Sequence, residues 1–143
     1  MTHVRDAQKS GLYRWERKMI APHDKSLVNP THLQVIVDHV WAEVGLQYPP
    51  KVKVLPKQNK SCWADATRTE IRVQSAGIPT WVLLHELAHS MTSDSEGHSH
   101  RHGPVFLATY IKLVCKYIPG INRLVLLASL KDYNLITKGD VYA

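Results

Sequence analysis

Cysteine is nearly absent from this chain. Cys62 and Cys115 are the only two in 143 residues, so at most one disulfide can form, and neither a Cys-x-x-Cys zinc ribbon nor a thioredoxin-type redox pair is encoded. Both are expected to be reduced core thiols. Long apolar runs are missing too. None approaches the ~20 residues needed to cross a bilayer, which argues against a membrane-spanning helix. Met1 to Ser10 is polar and charged with no apolar stretch behind it, unlike a secretory signal, so a cytoplasmic location is expected. Internal repeats and low-complexity tracts are also lacking. Apolar residues make up 44% and charged residues 21%, an ordinary globular balance, and the length suits one domain spanning 1–143 rather than two large ones.

Acidic groups are scarce at the two ends. Residues 1–20 carry five basic and two acidic side chains, residues 21–100 seven and eight, and residues 101–143 six and two. The net charge of +6 is therefore terminal. Such a distribution suits contact with nucleic acid or an acidic partner, and equally well simple dispersal in solution.

Hydrophobic periodicity outlines the elements. Leu12, Trp15 and Met19 recur at helical spacing within Arg5 to Ile20, so residues 1–28 are expected to form a basic amphipathic helix or arm. Asn29-Pro30 reads as a cap followed by proline at the first helical position. Leu33, Ile36, Val37, Val40, Trp41 and Val44 then form one apolar stripe ended by Gly45. Beyond Tyr48-Pro49-Pro50 the period changes to two. Val52 and Val54 mark one strand, and Cys62 to Ala66 with Thr69 to Gln74 suggest a hairpin. Trp81 to Met91 is an apolar segment suited to a buried helix. A polar, histidine-rich loop follows from Ser93 to Gly103, then a helix from Pro104 to the Pro119-Gly120 stop, and a last helix from about Ile121 to Leu130. This order predicts an α+β fold with a small antiparallel or mixed sheet of about three strands packed on several helices.

The chemistry lies on the Trp81–Met91 segment. His85-Glu86-Leu87-Ala88-His89 is an H-E-x-x-H sequence, of which a chain with this content of histidine and glutamate would contain about 0.02 by chance. On a helix, positions i and i+4 stand one above the other, so both imidazoles can reach one metal ion, and the intervening Glu86 can take a proton from a metal-activated water. A third protein ligand is required. The positions where a metzincin has its glycine and third histidine are Thr92 and Ser95, and no acidic residue between Gly103 and Lys131 could serve as a thermolysin-type glutamate. Histidine remains, as His98, His100 or His102, whose alternation would turn all three to one side of an extended loop. His102 is favoured because Gly103-Pro104 ties it to the next helix; Asp94 or Glu96 is a lesser alternative.

These residues carry a resemblance. The H-E-x-x-H helix, with His102-Gly103-Pro104-Val105-Phe106 after twelve intervening residues, resembles the HExxH-motif metallohydrolases of actinobacteria and phages. The likeness extends from Arg5-Asp6-Ala7-Gln8-Lys9-Ser10 through Trp63 and Ile71–Val73 to the final helices. The wider pattern is similar to SprT-like zinc metalloproteases, although their cysteine-rich ribbon has no counterpart here. The resemblance implies a minimal zincin-like fold, Zn2+ as cofactor with His85, His89 and His102 as its ligands, and Glu86 as catalytic base.

The expected activity is metal-assisted hydrolysis of an amide, most simply a peptide bond in a peptide or protein substrate. Tyr110, Arg101, His100 and Tyr133 are candidate partners for a developing oxyanion, none singled out. The strand Thr69 to Gln74 could hold an extended peptide by strand addition. Trp41, Trp63 and Trp81 read as packing residues, and Trp15, in the basic segment, as a candidate for binding a partner. The competing expectation is a nucleic-acid-associated or protein-binding module with a structural or vestigial zinc site.

Overall fold

A computed structural model of the chain describes residues 6–56, 64–94, 96 and 98–137. Among them, five helices surround a three-stranded sheet in a mixed α+β arrangement. The order is α1 (Lys9–Met19), α2 (Pro30–Val44), β1 (Lys51–Leu55), β2 (Ala64–Ala66), β3 (Glu70–Gln74), α3 (Thr80–Met91), α4 (Pro104–Tyr117) and α5 (Arg123–Ser129). Single 3-10 turns occur at Ala21–His23 and Leu130–Tyr133. No described helix is long and apolar enough to cross a membrane.

Local chemistry accounts for α2. The Asn29 side chain accepts the Thr31 N–H at 3.0 Å, Pro30 occupies the first turn, and Gly45 closes the helix at φ 89°. Its stripe of Leu33, Val37, Val40 and Trp41 is buried. α3 differs, since Pro79 before it supplies no side-chain cap. Its first N–H groups are taken from a distance: Thr80 donates to Ser26 Oγ at 2.9 Å and Trp81 to Asp24 Oδ2 at 2.7 Å. The segment after α1 thus fastens the start of the helix that carries the H-E-x-x-H residues. Nearly the whole circumference of α3 is buried against α4 and the sheet, as its all-round apolar sequence requires.

The sheet is mixed, in the order β1-β3-β2. β3 runs parallel to β1 and antiparallel to β2, with Ile71 and Val73 fully buried. The hairpin expected from Thr69 to Gln74 and the run before it is formed by β2 and β3, while Cys62 and Trp63 lie outside the described residues. The idea that Thr69 to Gln74 receives a peptide strand is corrected, because β3 is hydrogen-bonded on both sides. The β1 edge is also engaged: Gln34 of α2 accepts the Val52 N–H at 2.7 Å and donates to the Pro50 carbonyl at 3.1 Å. Among the described residues β1 and β2 are thus the two edges of the sheet, and α2 meets the β1 edge through Gln34.

Of the expected N-terminal helix or arm, residues 1–5 lie outside the described residues, and Lys9–Met19 is a helix packed on the core. Leu12 and Trp15 are fully buried, and the Trp15 indole N–H donates to Ser129 Oγ at 2.8 Å. Trp15 is thus a core residue and not a partner-binding one. The reason is tertiary: the C-terminal 3-10 turn gives the apolar face of α1 a surface to pack on. Trp41 is buried as expected, Trp81 and Cys115 are half-buried, and Cys115 is a free thiol. α1 approaches the C-terminal turn so closely that a Cβ on Gly11 would lie 2.7 Å from the Tyr133 carbonyl oxygen. Gly11→Ala is therefore expected to lower stability by about 1–3 kcal/mol, because backbone must move on one side. Thermal or urea denaturation checks this, and a variant as stable as the parent contradicts the close packing.

Candidate metal centre

α3 and the loop before α4 bring three imidazoles together. His85 and His89 stand one turn apart on α3, and His102 enters from the residue before the α4 cap, Gly103. Their Nε2 atoms form a triangle with sides of 3.2 Å (His85 to His89), 3.1 Å (His89 to His102) and 3.3 Å (His85 to His102). Three nitrogens at ~2.0–2.1 Å from a tetrahedral metal ion would be separated by about 3.3–3.4 Å, so the spacing fits a metal within ~0.2 Å. Phe106, the only phenylalanine in the chain, forms the floor. It stacks on His89 at 4.3 Å between ring centroids and meets His85 edge-on at 5.1 Å.

The orientation of the rings is set by carboxylates. His85 Nδ1 donates to Glu16 Oε2 at 2.6 Å, and the buried Tyr110 hydroxyl donates to the same oxygen at 2.6 Å. His102 Nδ1 donates to Asp6 Oδ2 at 2.7 Å. The His102 backbone is held as well, by Asp6 Oδ1 accepting its N–H at 3.3 Å and Gln8 Nε2 donating to its carbonyl at 2.9 Å. Carboxylates on Nδ1 direct the Nε2 lone pairs inward, where facing lone pairs need a proton or a cation between them.

Electrostatics agree with a cation-seeking site. Burial, with His85 and His102 close by, pushes His89 down to about 2, and burial also lowers His102 despite Asp6. Burial works against the charged form of His85 as well, but Glu16, together with Glu86 and Asp6, outweighs it and the pKa rises. Glu86 is raised to about 7 by burial, against the pull of His85. It lines a cleft of about 520 Å³ shared with Tyr13, Arg17, Ala64, Trp81 and Val82. A carboxyl group in that range, beside three imidazoles and open to a cleft, could serve as a general base.

The other loop residues do not join. Arg101 has a positive φ of 50° and the chain turns there, so the alternation of His98, His100 and His102 is broken: His102 is buried, and His98 and His100 are exposed. Asp94 instead closes its own loop, accepting the N–H groups of Glu96 and His98 and the His98 Nδ1–H at 2.9 Å. Tyr110 is committed to Glu16. Arg101 and His100 are exposed, and Tyr133 sits half-buried in the C-terminal 3-10 turn, away from the cleft lining.

Sequence reasoning missed Glu16 and Asp6. Glu16 had a signal, being a carboxylate four residues from Leu12 and next to Trp15 on a predicted apolar stripe. Asp6, 96 positions from His102, had none in the residues alone. Glu16→Gln and Asp6→Asn are each expected to weaken metal binding about 10–100-fold, as losses of orienting carboxylates do. Competition with a chromophoric chelator measures this, and unaltered affinity in both variants would show that these carboxylates do not tune the site. No family model matches the chain, and no match is found among curated proteins or solved structures.

Proposed function

We propose that the protein is a zinc-dependent hydrolase of zincin-like fold, most simply a metallopeptidase, with His85, His89 and His102 as zinc ligands and Glu86 as general base. The observation that carries this reading is the Nε2 triangle with a buried glutamate from the same helix turn facing the cleft. Nitrogen donors in a tetrahedral face favour zinc over hard cations, which prefer oxygen. When bound, zinc supplies Lewis-acid polarisation of the scissile carbonyl and acidifies the attacking water.

The chain's own residues do the rest. Glu86 accepts the proton of the attacking water and returns it to the leaving amine nitrogen, which its raised pKa permits near neutrality. Glu16 and Asp6 hold the ligand rings, and Tyr110 holds Glu16. The β2 edge adjoins α3, and Ala64 lines the cleft, so an extended substrate running along β2 would pass beside Glu86. Among the described residues no fourth His, Cys, Asp or Glu joins the triad, which suits a catalytic site more than the closed structural site of a binding module.

Zinc-loaded protein incubated with a mixed peptide library and read by mass spectrometry tests the proposal. Expected are new peptide termini that vanish on chelation and return with zinc. Cleavage indifferent to chelator, or none with zinc bound, contradicts it.

A further inference from the structure

The cleft beside the triad has one wall built by α1. The turn that buries Glu16 against His85 brings Tyr13 and Arg17, four residues apart and so on one helix face, to the cleft on either side of it. Tyr13 lies over the ligands, its ring 5.3 Å from that of His102 and 6.2 Å from that of His85. Arg17 therefore stands about one helical turn, ~5–6 Å, from the residue that borders the metal position. The lining also includes Ala64, Trp81 and Val82, small or apolar.

Charge is unbalanced at this point. Among the described residues Arg17 is the only arginine or lysine lining the cleft; it is exposed and makes no ion pair with any of them. The two carboxylates of the cleft are not its partners: Glu16 is turned inward to His85 and Tyr110, and Glu86 is buried at 7% exposure. Arg72, by contrast, has its guanidinium matched by the protein, pairing with Asp65 at 2.6 Å. A guanidinium lining a cleft, with its fork unmatched by any described residue, is suited to a carboxylate that arrives with the ligand.

On this basis, and resting on the hydrolase reading above, we infer that Arg17 forms a carboxylate-binding subsite and that the substrates are peptides with an acidic residue adjacent to the scissile bond. Tyr13 borders the metal position and Arg17 receives the neighbouring acidic side chain. The preference is for carboxylate over amide of the same shape, because an opposite charge is what Arg17 lacks among the described residues.

The test is calorimetric binding of N-acetyl aminoacyl hydroxamates, which anchor on zinc, to zinc-loaded protein. The aspartyl and glutamyl compounds are expected to bind about tenfold more tightly than their asparaginyl and glutaminyl isosteres, with the lysyl compound weakest. Arg17→Gln should abolish the acid preference and Arg17→Glu should invert it toward lysyl, both with one zinc per chain and an unchanged circular dichroism spectrum. Equal affinity of acidic and neutral compounds in the wild type, or a preference that survives both substitutions, overturns the subsite while leaving the hydrolase reading intact. Failure of every hydroxamate to bind a zinc-loaded chain overturns the open metal site and the subsite with it.

Discussion

Glu86→Gln is expected to reduce zinc-dependent peptide hydrolysis by about 10²–10⁴-fold, the range over which a positioned general base contributes. Glutamine keeps the size and the hydrogen-bonding oxygen but cannot accept the proton of the attacking water. Glu86 lies on α3 between the two histidines without belonging to the nitrogen triangle, so zinc content should stay near one per chain. Because the carboxyl group is buried and its pKa is raised to about 7, removing its charge spares a desolvation cost, and stability is expected to hold or rise slightly. Turnover with synthetic peptides identified from the library, measured beside zinc content by atomic spectroscopy, separates the two properties. Retained turnover in a zinc-bearing Glu86→Gln variant would falsify the assignment of the base.

His102→Ala carries the second large effect. Two imidazoles on one helix turn remain, and a site cut from three nitrogen ligands to two should hold little zinc through purification. Wild type and His98→Ala should each retain about one zinc per chain, since His98 is exposed and bonded to Asp94. Stability follows by linkage: zinc at ~1,000 times its dissociation constant adds about 4 kcal/mol, which for a domain of this size raises Tm by on the order of 10 °C. That zinc-dependent rise should disappear in His102→Ala. Differential scanning calorimetry with and without added zinc reads it directly, and a rise of equal size in the variant would place the metal elsewhere.

How far the sequence leads differs from element to element. α2 was legible with both ends, because its cap, its proline and its terminal glycine are local and its stripe is long. α3 was legible from its apolar run although its N-terminal partners, Asp24 and Ser26, were not, since they come from 54 or more positions away. The alternation of His98, His100 and His102 misled on geometry, because a left-handed residue at Arg101 redirects the chain and local alternation cannot foresee it. Trp15 misled in another way. Basic neighbours suggest exposure, but a helix with one apolar face takes its neighbours' charge to solvent and its tryptophan to the core.

What the sequence by itself determined is the set of chemical groups and their local spacing. Two imidazoles and a carboxylate within five residues of one helix, and a third imidazole before a Gly-Pro helix start, follow from the α-helical repeat and from backbone stereochemistry, which are properties of short segments. Only the tertiary structure decided that the three Nε2 atoms meet within 3.3 Å, that Glu16 and Asp6 orient two of the three rings, that β3 lies between β1 and β2, and that Arg17 faces the cleft. Those outcomes depend on contacts between residues up to 96 positions apart. They arise when apolar faces are buried together, and burying α1 against the C-terminal turn carries its polar residues to the three imidazoles as a consequence of packing.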